Sequence, residues 1–221
     1  MKKILIVGIN GTIGKALNRL LGDEYEIYGT TSKLENTSEN MLYLDFSLPE
    51  SIDNFYSSFN FDHIIVTAGK EPQRNLNESD YTHILSMFNI HVMGPLLFIK
   101  NIANEINEGG SITFISSPAA YQGSYDPSYA AVKGAINALV RTLAKDLAPK
   151  IRVNAMSPSL IIDSPVYNRM TNDFRAKHIN NSLTKTLTTS QQCAEGILFL
   201  IKGEQVTGQI LHINGGLIYG Y

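Results

Sequence analysis

Apolar residues along the chain alternate between two periods. Lys3 to Ile9 is a continuous apolar run, as in a parallel strand buried on both faces. Behind it, Ile13, Ala16, Leu17, Leu20 and Leu21 recur at helical spacing. The alternation continues to the end of the chain. Strands are predicted over Tyr25 to Thr30, Met41 to Phe46, His63 to Thr67, Ser111 to Ser116, Ile151 to Met156 and Ile210 to Ile213. Helices are predicted from Pro49 through Ile52, Phe55, Tyr56 and Phe59, over Asp80 to Ile106, over Pro127 to Leu147 and over Gln191 to Lys202. Gly94-Pro95 interrupts the longest of these. Proline lacks a backbone donor and crowds the preceding turn, so a bend is predicted near His91 to Gly94.

Two stretches break the rhythm. Residues 31–40 are polar with no apolar face, so the crossover helix between the second and third strands is expected to be missing or reduced. Ser157 to Ser190, rich in Ser, Thr and Asn, has the least periodicity and reads as a mobile lid. Strands alternating with helices predict an α/β fold: a doubly wound parallel sheet of Rossmann type with right-handed crossovers and strand order 3-2-1-4-5-6-7.

Composition narrows the picture. The 221 residues suit one large domain spanning 1–221. A net charge of −2 leaves no electrostatic footprint for nucleic acid. Cys193 is the one cysteine, which excludes an internal disulfide or a cysteine-based metal site, and no metal is expected. The chain lacks an uninterrupted apolar run of about 18 residues, so no membrane span is expected and the reading is cytoplasmic.

Candidate chemistry collects where the strands end. Gly8-Ile9-Asn10-Gly11-Thr12-Ile13-Gly14 joins the first strand to the first helix, the context of a nucleotide-phosphate loop. Its spacing is GxxGxxG, not GxGxxG. The second strand ends without the acidic residue that usually holds a ribose 2′-hydroxyl. Thr31, Ser32 and Lys33 stand there instead and suit a 2′-phosphate, which favours NADP(H) over NAD(H). Asp45, Ala68-Gly69, Ser116-Ser117 and Pro158 fall at the ends of later strands, where a ligand of an open α/β sheet is expected. Tyr129 and Lys133 lie one helical turn apart on one face. A neighbouring ammonium favours the phenolate, and a strand-end serine could hold a carbonyl or alcohol oxygen while the tyrosine exchanges its proton.

Taken together, these parts resemble the short-chain dehydrogenase/reductase family over nearly the whole chain. They occur in family order: glycine loop, alanine-glycine after strand four, serine after strand five, YxxxK, and proline after strand six. Thr207-Gly-Gln-Ile-Leu-His-Ile-Asn-Gly-Gly216 is similar to the family's usual ending. The resemblance implies that Tyr129 is the acid/base and that Lys133 tunes it and binds the nicotinamide ribose. The serine is Ser117 by strand register and Ser116 by the family's thirteen-residue spacing; Ser117 is preferred.

The sequence departs from the family pattern at several points. Val7 replaces the threonine of the glycine loop, and Val66-Thr67-Ala68-Gly69 lacks both asparagines of the usual motif. His91 stands where a fourth catalytic residue, asparagine, normally binds water in a proton relay, and histidine can serve both ends of such a relay. The family's Pro-Gly is Pro158-Ser159, and its carboxamide-binding threonine is replaced near Asp163-Ser164.

The resemblance implies an NADP(H)-dependent oxidoreductase interconverting a small carbonyl and an alcohol. Pairing of the long helices implies a homodimer or homotetramer. A non-catalytic nucleotide sensor is the competing expectation, favoured by the lost asparagines.

Overall fold

The computed structural model describes residues 1–219. Seven strands form one sheet in the order β3-β2-β1-β4-β5-β6-β7, every neighbouring pair parallel. They are β1 (Lys3–Val7), β2 (Glu26–Thr31), β3 (Met41–Tyr43), β4 (Phe61–Val66), β5 (Ile106–Ile115), β6 (Ile151–Pro158) and β7 (Ile210–Ile213).

The helices are α1 (Thr12–Leu21), α2 (Pro49–Asp53), α3 (Tyr81–Phe88), α4 (Gly94–Ile102), α5 (Ala119–Gln122), α6 (Pro127–Asp146), α7 (Pro165–Arg169), α8 (Asn172–Asn181) and α9 (Ser190–Lys202). They cover both faces of the sheet. Side chains alternate along β1, so Leu5 and Val7 face one core while Ile4 and Ile6 face the other. The first core packs against α4 and α6 through Phe98, Ile99, Ile136 and Val140. The second packs against α1 and α9 through Leu17, Leu21, Ile197 and Leu200. Full burial of such side chains contributes roughly 1.5–3 kcal/mol each.

Several boundaries differ from the sequence reading. β3 stops at Tyr43 rather than Phe46, and Asp45 turns back to cap its own loop: its Oδ1 accepts from the Ser47 amide and hydroxyl. α2 has five residues and stops at Asp53, not Phe59. Phe55 and Phe59 mimicked a helical face, but each fills an aromatic cluster from irregular chain. Phe55 lies 4.9 Å edge-on to Phe98, and Phe59 lies 4.4 Å from Tyr28. Tyr56 between them is exposed. Residues 34–36 form one short 3₁₀ turn in place of the second crossover helix. That turn leaves a cleft of about 560 Å³ at the open sheet edge, lined by Leu34, Leu42, Tyr43 and Leu48.

Where a bend was expected, the helical stretch 81–105 widens into a π-helical turn over Asn89–Met93 in which Gly94 N–H bonds the Asn89 carbonyl. The wider turn accommodates Pro95. Over its 25 residues this stretch contains a window of mean hydropathy 1.4, long and apolar enough by length and composition to cross a membrane. Scattered polar residues keep it from forming an uninterrupted apolar run. Met87, Phe98, Ile99 and Ile102 are buried, the last three in the first core.

The stretch expected to be an aperiodic lid carries α7 and α8. Its feet are pinned: Ser159 and Thr188 share a hydroxyl–hydroxyl bond of 2.6 Å, and Ile161 bridges Thr188. Arg175 ties its helices together, with its guanidinium 4.4 Å over the Tyr167 ring and its Nε donating to the Tyr167 carbonyl.

Candidate active site

The β1–α1 loop is built for a close backbone approach. Gly8 sits at φ +86°, and a Cβ there would lie 2.8 Å from the Ala68 nitrogen. A Cβ on Gly14 would meet the Ile9 carbonyl oxygen at 2.5 Å. Thr30 and Thr67 brace the loop: Gly8 N–H donates to Thr30 Oγ1, and the Thr67 hydroxyl bonds the Val7 and Gly8 carbonyls. Thr67, which stands in place of a family asparagine, therefore clips β1 to β4.

α1 begins at Thr12 with Gly11 as its N-cap, and no side chain among the described residues caps it. The first-turn amides, including those of Thr12, Ile13 and Gly14, are left for an anionic ligand. Asn10 is exposed at the loop's tip, and Ile13 is buried in the second core. These features fit the pyrophosphate of a dinucleotide.

Thr31 is buried, and its hydroxyl accepts from the Lys33 amide at 3.2 Å. Ser32 and the Lys33 side chain are exposed beside it. Asp45, Ala68, Gly69 and Pro158 all lie at or just past strand C-terminal ends, on the same rim as Gly8. Ser164 is committed internally, since its hydroxyl caps α7 and donates to the Ile161 carbonyl. Asp163 accepts from the Ser190 amide at 2.8 Å and from its hydroxyl.

Ser117, Tyr129, Lys133 and His91 converge at the centre of this rim. The Ser117 hydroxyl accepts from the Ala119 amide at 3.2 Å and lies close enough to the Tyr129 phenol to pull against its upward shift. Ser116 points elsewhere; it is buried and donates to Asn137 Oδ1 at 2.6 Å. Lys133 is buried, donates to the Ile115 carbonyl at 2.8 Å, and holds its Nζ 5.4 Å from the centre of the Tyr129 ring. Burial lowers Lys133 to about 7. Burial also raises Tyr129 above its ordinary value, against the opposing pull of the nearby Ser117 hydroxyl. Desolvation thus outweighs the assistance that the lysine was expected to give the phenolate.

His91 lies in the π-turn with its ring edge-on to Tyr129 at 6.0 Å. Burial, then the charge of Lys133, lowers it to about 3, so it is neutral at physiological pH. Its Nε2 accepts from the Lys70 amide at 2.9 Å and lies 3.0 Å from the Lys70 carbonyl. Gly69 makes room for it, because a Cβ there would sit 2.6 Å from its Cε1.

Asp126 is a residue that sequence reasoning missed. It caps α6 immediately before Pro127, an Asp-Pro helix start visible in the sequence, and is completely buried. Glu71 was also missed. It pairs with Arg169 of α7 and so joins the segment after β6 to the loop after β4.

Residues 30–218 match a family model described as enoyl-(acyl carrier protein) reductase. An uncharacterised oxidoreductase of Bacillus subtilis, YmfI, is 29% identical over 97% of this chain and 98% of its own. A short-chain dehydrogenase/reductase from Brucella melitensis superposes with a TM-score of 0.88 at 24% identity, covering 99% of this chain and 97% of that one. A small-chain dehydrogenase solved in complex with NADPH gives a TM-score of 0.80 at 27% identity, covering 99% of both chains. The chain belongs to the short-chain dehydrogenase/reductase family of NAD(P)-dependent oxidoreductases.

Proposed function

We propose that this protein is an NADP(H)-dependent reductase of small carbonyl compounds, working reversibly on the corresponding alcohols, with Tyr129 as its acid/base. The observation that carries this reading is the convergence of Ser117, Tyr129 and Lys133 on the rim that bears the glycine loop. The bound cofactor supplies the hydride. The chain's own residues do the rest. The Tyr129 hydroxyl donates its proton to the substrate oxygen, and Ser117 donates a hydrogen bond to the same atom as it gains charge. Lys133 uses one hydrogen on Ile115 and has others for the nicotinamide ribose and for returning a proton to the phenol. His91 holds Lys70 and thereby the wall beside Tyr129.

Thr31, Ser32 and Lys33 support the choice of NADP(H), as does the NADPH held by the 27%-identical neighbour. Further support for a carbonyl substrate comes from a Xenopus laevis relative, carbonyl reductase family member 4, 26% identical over 98% of both chains. The assembly proposed is a homo-oligomer through the outward faces of α3, α4 and α6. The deciding experiment follows NADPH and NADH oxidation against a panel of aldehydes and ketones, alongside calorimetric binding of each cofactor. Turnover with NADPH is expected. Cofactor binding without turnover of any carbonyl would move the chain to the sensor reading.

A further inference from the structure

We propose that Asp126 is a positioning residue for Tyr129, fixing the first turn of the catalytic helix to the loop after β4 and to His83 of α3. The inference rests on the reading of Tyr129 as the acid/base. A helix cap needs one or two acceptor contacts, and Asp126 makes more. Its Oδ1 accepts from the amides of Ser128 (3.0 Å) and Tyr129 (3.1 Å) and from the Ser128 hydroxyl (2.5 Å). Its Oδ2 accepts from the amides of Gln73 (3.0 Å) and Arg74 (3.3 Å) and from His83 Nε2 (2.9 Å). The second set reaches more than forty positions away in sequence.

Every one of these partners is a donor, so both oxygens must be acceptors. An asparagine would turn its own N–H groups toward other N–H groups. The loop that Asp126 holds touches the rest of the site. Lys70 bonds His91, Glu71 pairs with Arg169, and the Pro72 carbonyl accepts from Tyr125 at 2.5 Å. Asp126 therefore sets where Tyr129 stands relative to His91 and the segment after β6.

Burial alone would raise the Asp126 carboxyl. The Gln73 amide, the Ser128 hydroxyl and the amides of Tyr129 and Arg74 hold it well below the usual carboxylate range. Its charge in turn favours the protonated phenol. The charged and titratable groups facing Tyr129 are Asp126 at the N-cap of α6, Lys133 of α6, Glu71 of the loop after β4, and His91 of the π-turn.

The test compares Asp126→Asn and Asp126→Ser with the wild type. Three readouts are used: carbonyl turnover with NADPH, calorimetric NADPH affinity, and Tyr129 ionisation from the tyrosinate absorbance difference against Tyr129→Phe backgrounds. Serine still caps the helix, so Asp126→Ser separates capping from positioning. Both variants are expected to lose roughly tenfold or more in turnover, to bind NADPH within about twofold of wild type, and to ionise Tyr129 at lower pH. Restoration of turnover by serine would reduce Asp126 to a cap and overturn the proposal. Should the Asp126 variants fail to fold, His83→Leu and His83→Gln carry the test. Leucine is expected to lower turnover and glutamine to restore it, whereas wild-type rates in both would overturn the proposal. If the wild type turns over no carbonyl, the reductase reading fails separately, and a shift of Tyr129 ionisation in His83→Leu, which keeps the Asp126 charge, still tests the positioning role, with an unshifted Tyr129 overturning it.

Discussion

Lys133 Nζ lies 5.4 Å from the centre of the Tyr129 ring, and both groups are shifted by burial in opposite directions. The lysine falls to about 7 and the phenol rises, so near neutral pH the proton belongs on Tyr129. Carbonyl reduction, which needs the phenol hydrogen, is expected to hold at neutral pH, and alcohol oxidation to climb with pH. Tyr129→Phe should cost roughly 10²–10⁴-fold in turnover with cofactor affinity little changed. Lys133 also makes a stability prediction. Between about 7 and its ordinary 10.5, the unfolded chain holds a proton that the folded chain has lost, so stability rises with pH across that window. Below about 7 the burial penalty is fully present. Lys133→Met should abolish turnover yet raise the melting temperature, more at about pH 6 than at about pH 9. An equal shift at both pH values would contradict this account.

The two serines separate cleanly. Ser117 faces the phenol, whereas the Ser116 hydroxyl is spent on Asn137 in the interior. Ser117→Ala is expected to lower turnover by roughly 10²-fold with NADPH affinity preserved, as for loss of one donor to a developing oxyanion. Ser116→Ala leaves the Asn137 carbonyl oxygen without its donor and should act on stability by about 1–3 kcal/mol. Melting curves and steady-state rates of the two variants check both halves. If Ser116→Ala cripples turnover while Ser117→Ala does not, the roles assigned here are reversed.

His91 gives an acid-side prediction. Folding lowers it from 6.5 to about 3, so as pH falls through that interval the unfolded chain takes up a proton that the folded chain refuses. Stability therefore drops between about pH 6.5 and 3, and buried His63, lowered to about 4, adds to the drop. Asparagine carries both a donor and an acceptor, enough for the carbonyl and amide of Lys70. His91→Asn should keep most of the activity and move acid unfolding to lower pH. His91→Ala should lose turnover, because it frees the Lys70 backbone beside Tyr129. Wild-type rates in both variants would make His91 purely structural.

The sheet order was legible because each buried strand is a short apolar run and each helix carries its own stripe. Candidate site residues could be named because glycines at strand ends and YxxxK are local patterns. What could not be read is what depends on contacts distant in sequence. Phe55 and Phe59 follow a helical period, yet their partners are Phe98 and Tyr28. α8 buries no residue completely, so its helix carries no apolar stripe to detect. Asp126 and His83 are 43 residues apart, and no local pattern joins them.

Cofactor choice follows from the end of β2. Lys33 is exposed beside Ser32, with no acid between them and Thr31. A charge-assisted contact to a 2′-phosphate contributes roughly 1.5–3 kcal/mol, or about tenfold to a hundredfold in affinity. NADPH should bind more tightly than NADH, and Lys33→Ala should remove most of that difference while leaving NADH unaffected. Gly14→Ala should weaken both cofactors alike, since its Cβ would be forced against the Ile9 backbone. Equal calorimetric affinities for the two cofactors in the wild type would remove the argument from Lys33.

The outward face of α3 and α4 makes the last prediction. Ile84 and Leu85 of α3, Met93 of the π-turn, and Leu96 and Leu97 of α4 are each about 40% exposed. Packing one copy's stripe on another's would remove this apolar surface from water at roughly 25 cal/mol per Å². The neighbouring helix α6 has a smooth outward stripe, with Ala131 and Ala138 exposed and nothing within 4 Å of a Cβ built on Gly134. Small residues of this kind let a second helix pair approach closely. The expected assembly is a symmetric dimer, or a tetramer built from it, with the same face used on each copy. Leu96→Asp together with Leu97→Asp places two charges where the partner's apolar stripe would lie. Sedimentation should give a multiple of 24.4 kDa for the wild type and the single-chain mass for the double variant. Because Tyr129 and Lys133 stand on α6, dissociation should also reduce turnover. A wild type that sediments as one chain at micromolar concentration would leave this apolar face without its proposed partner.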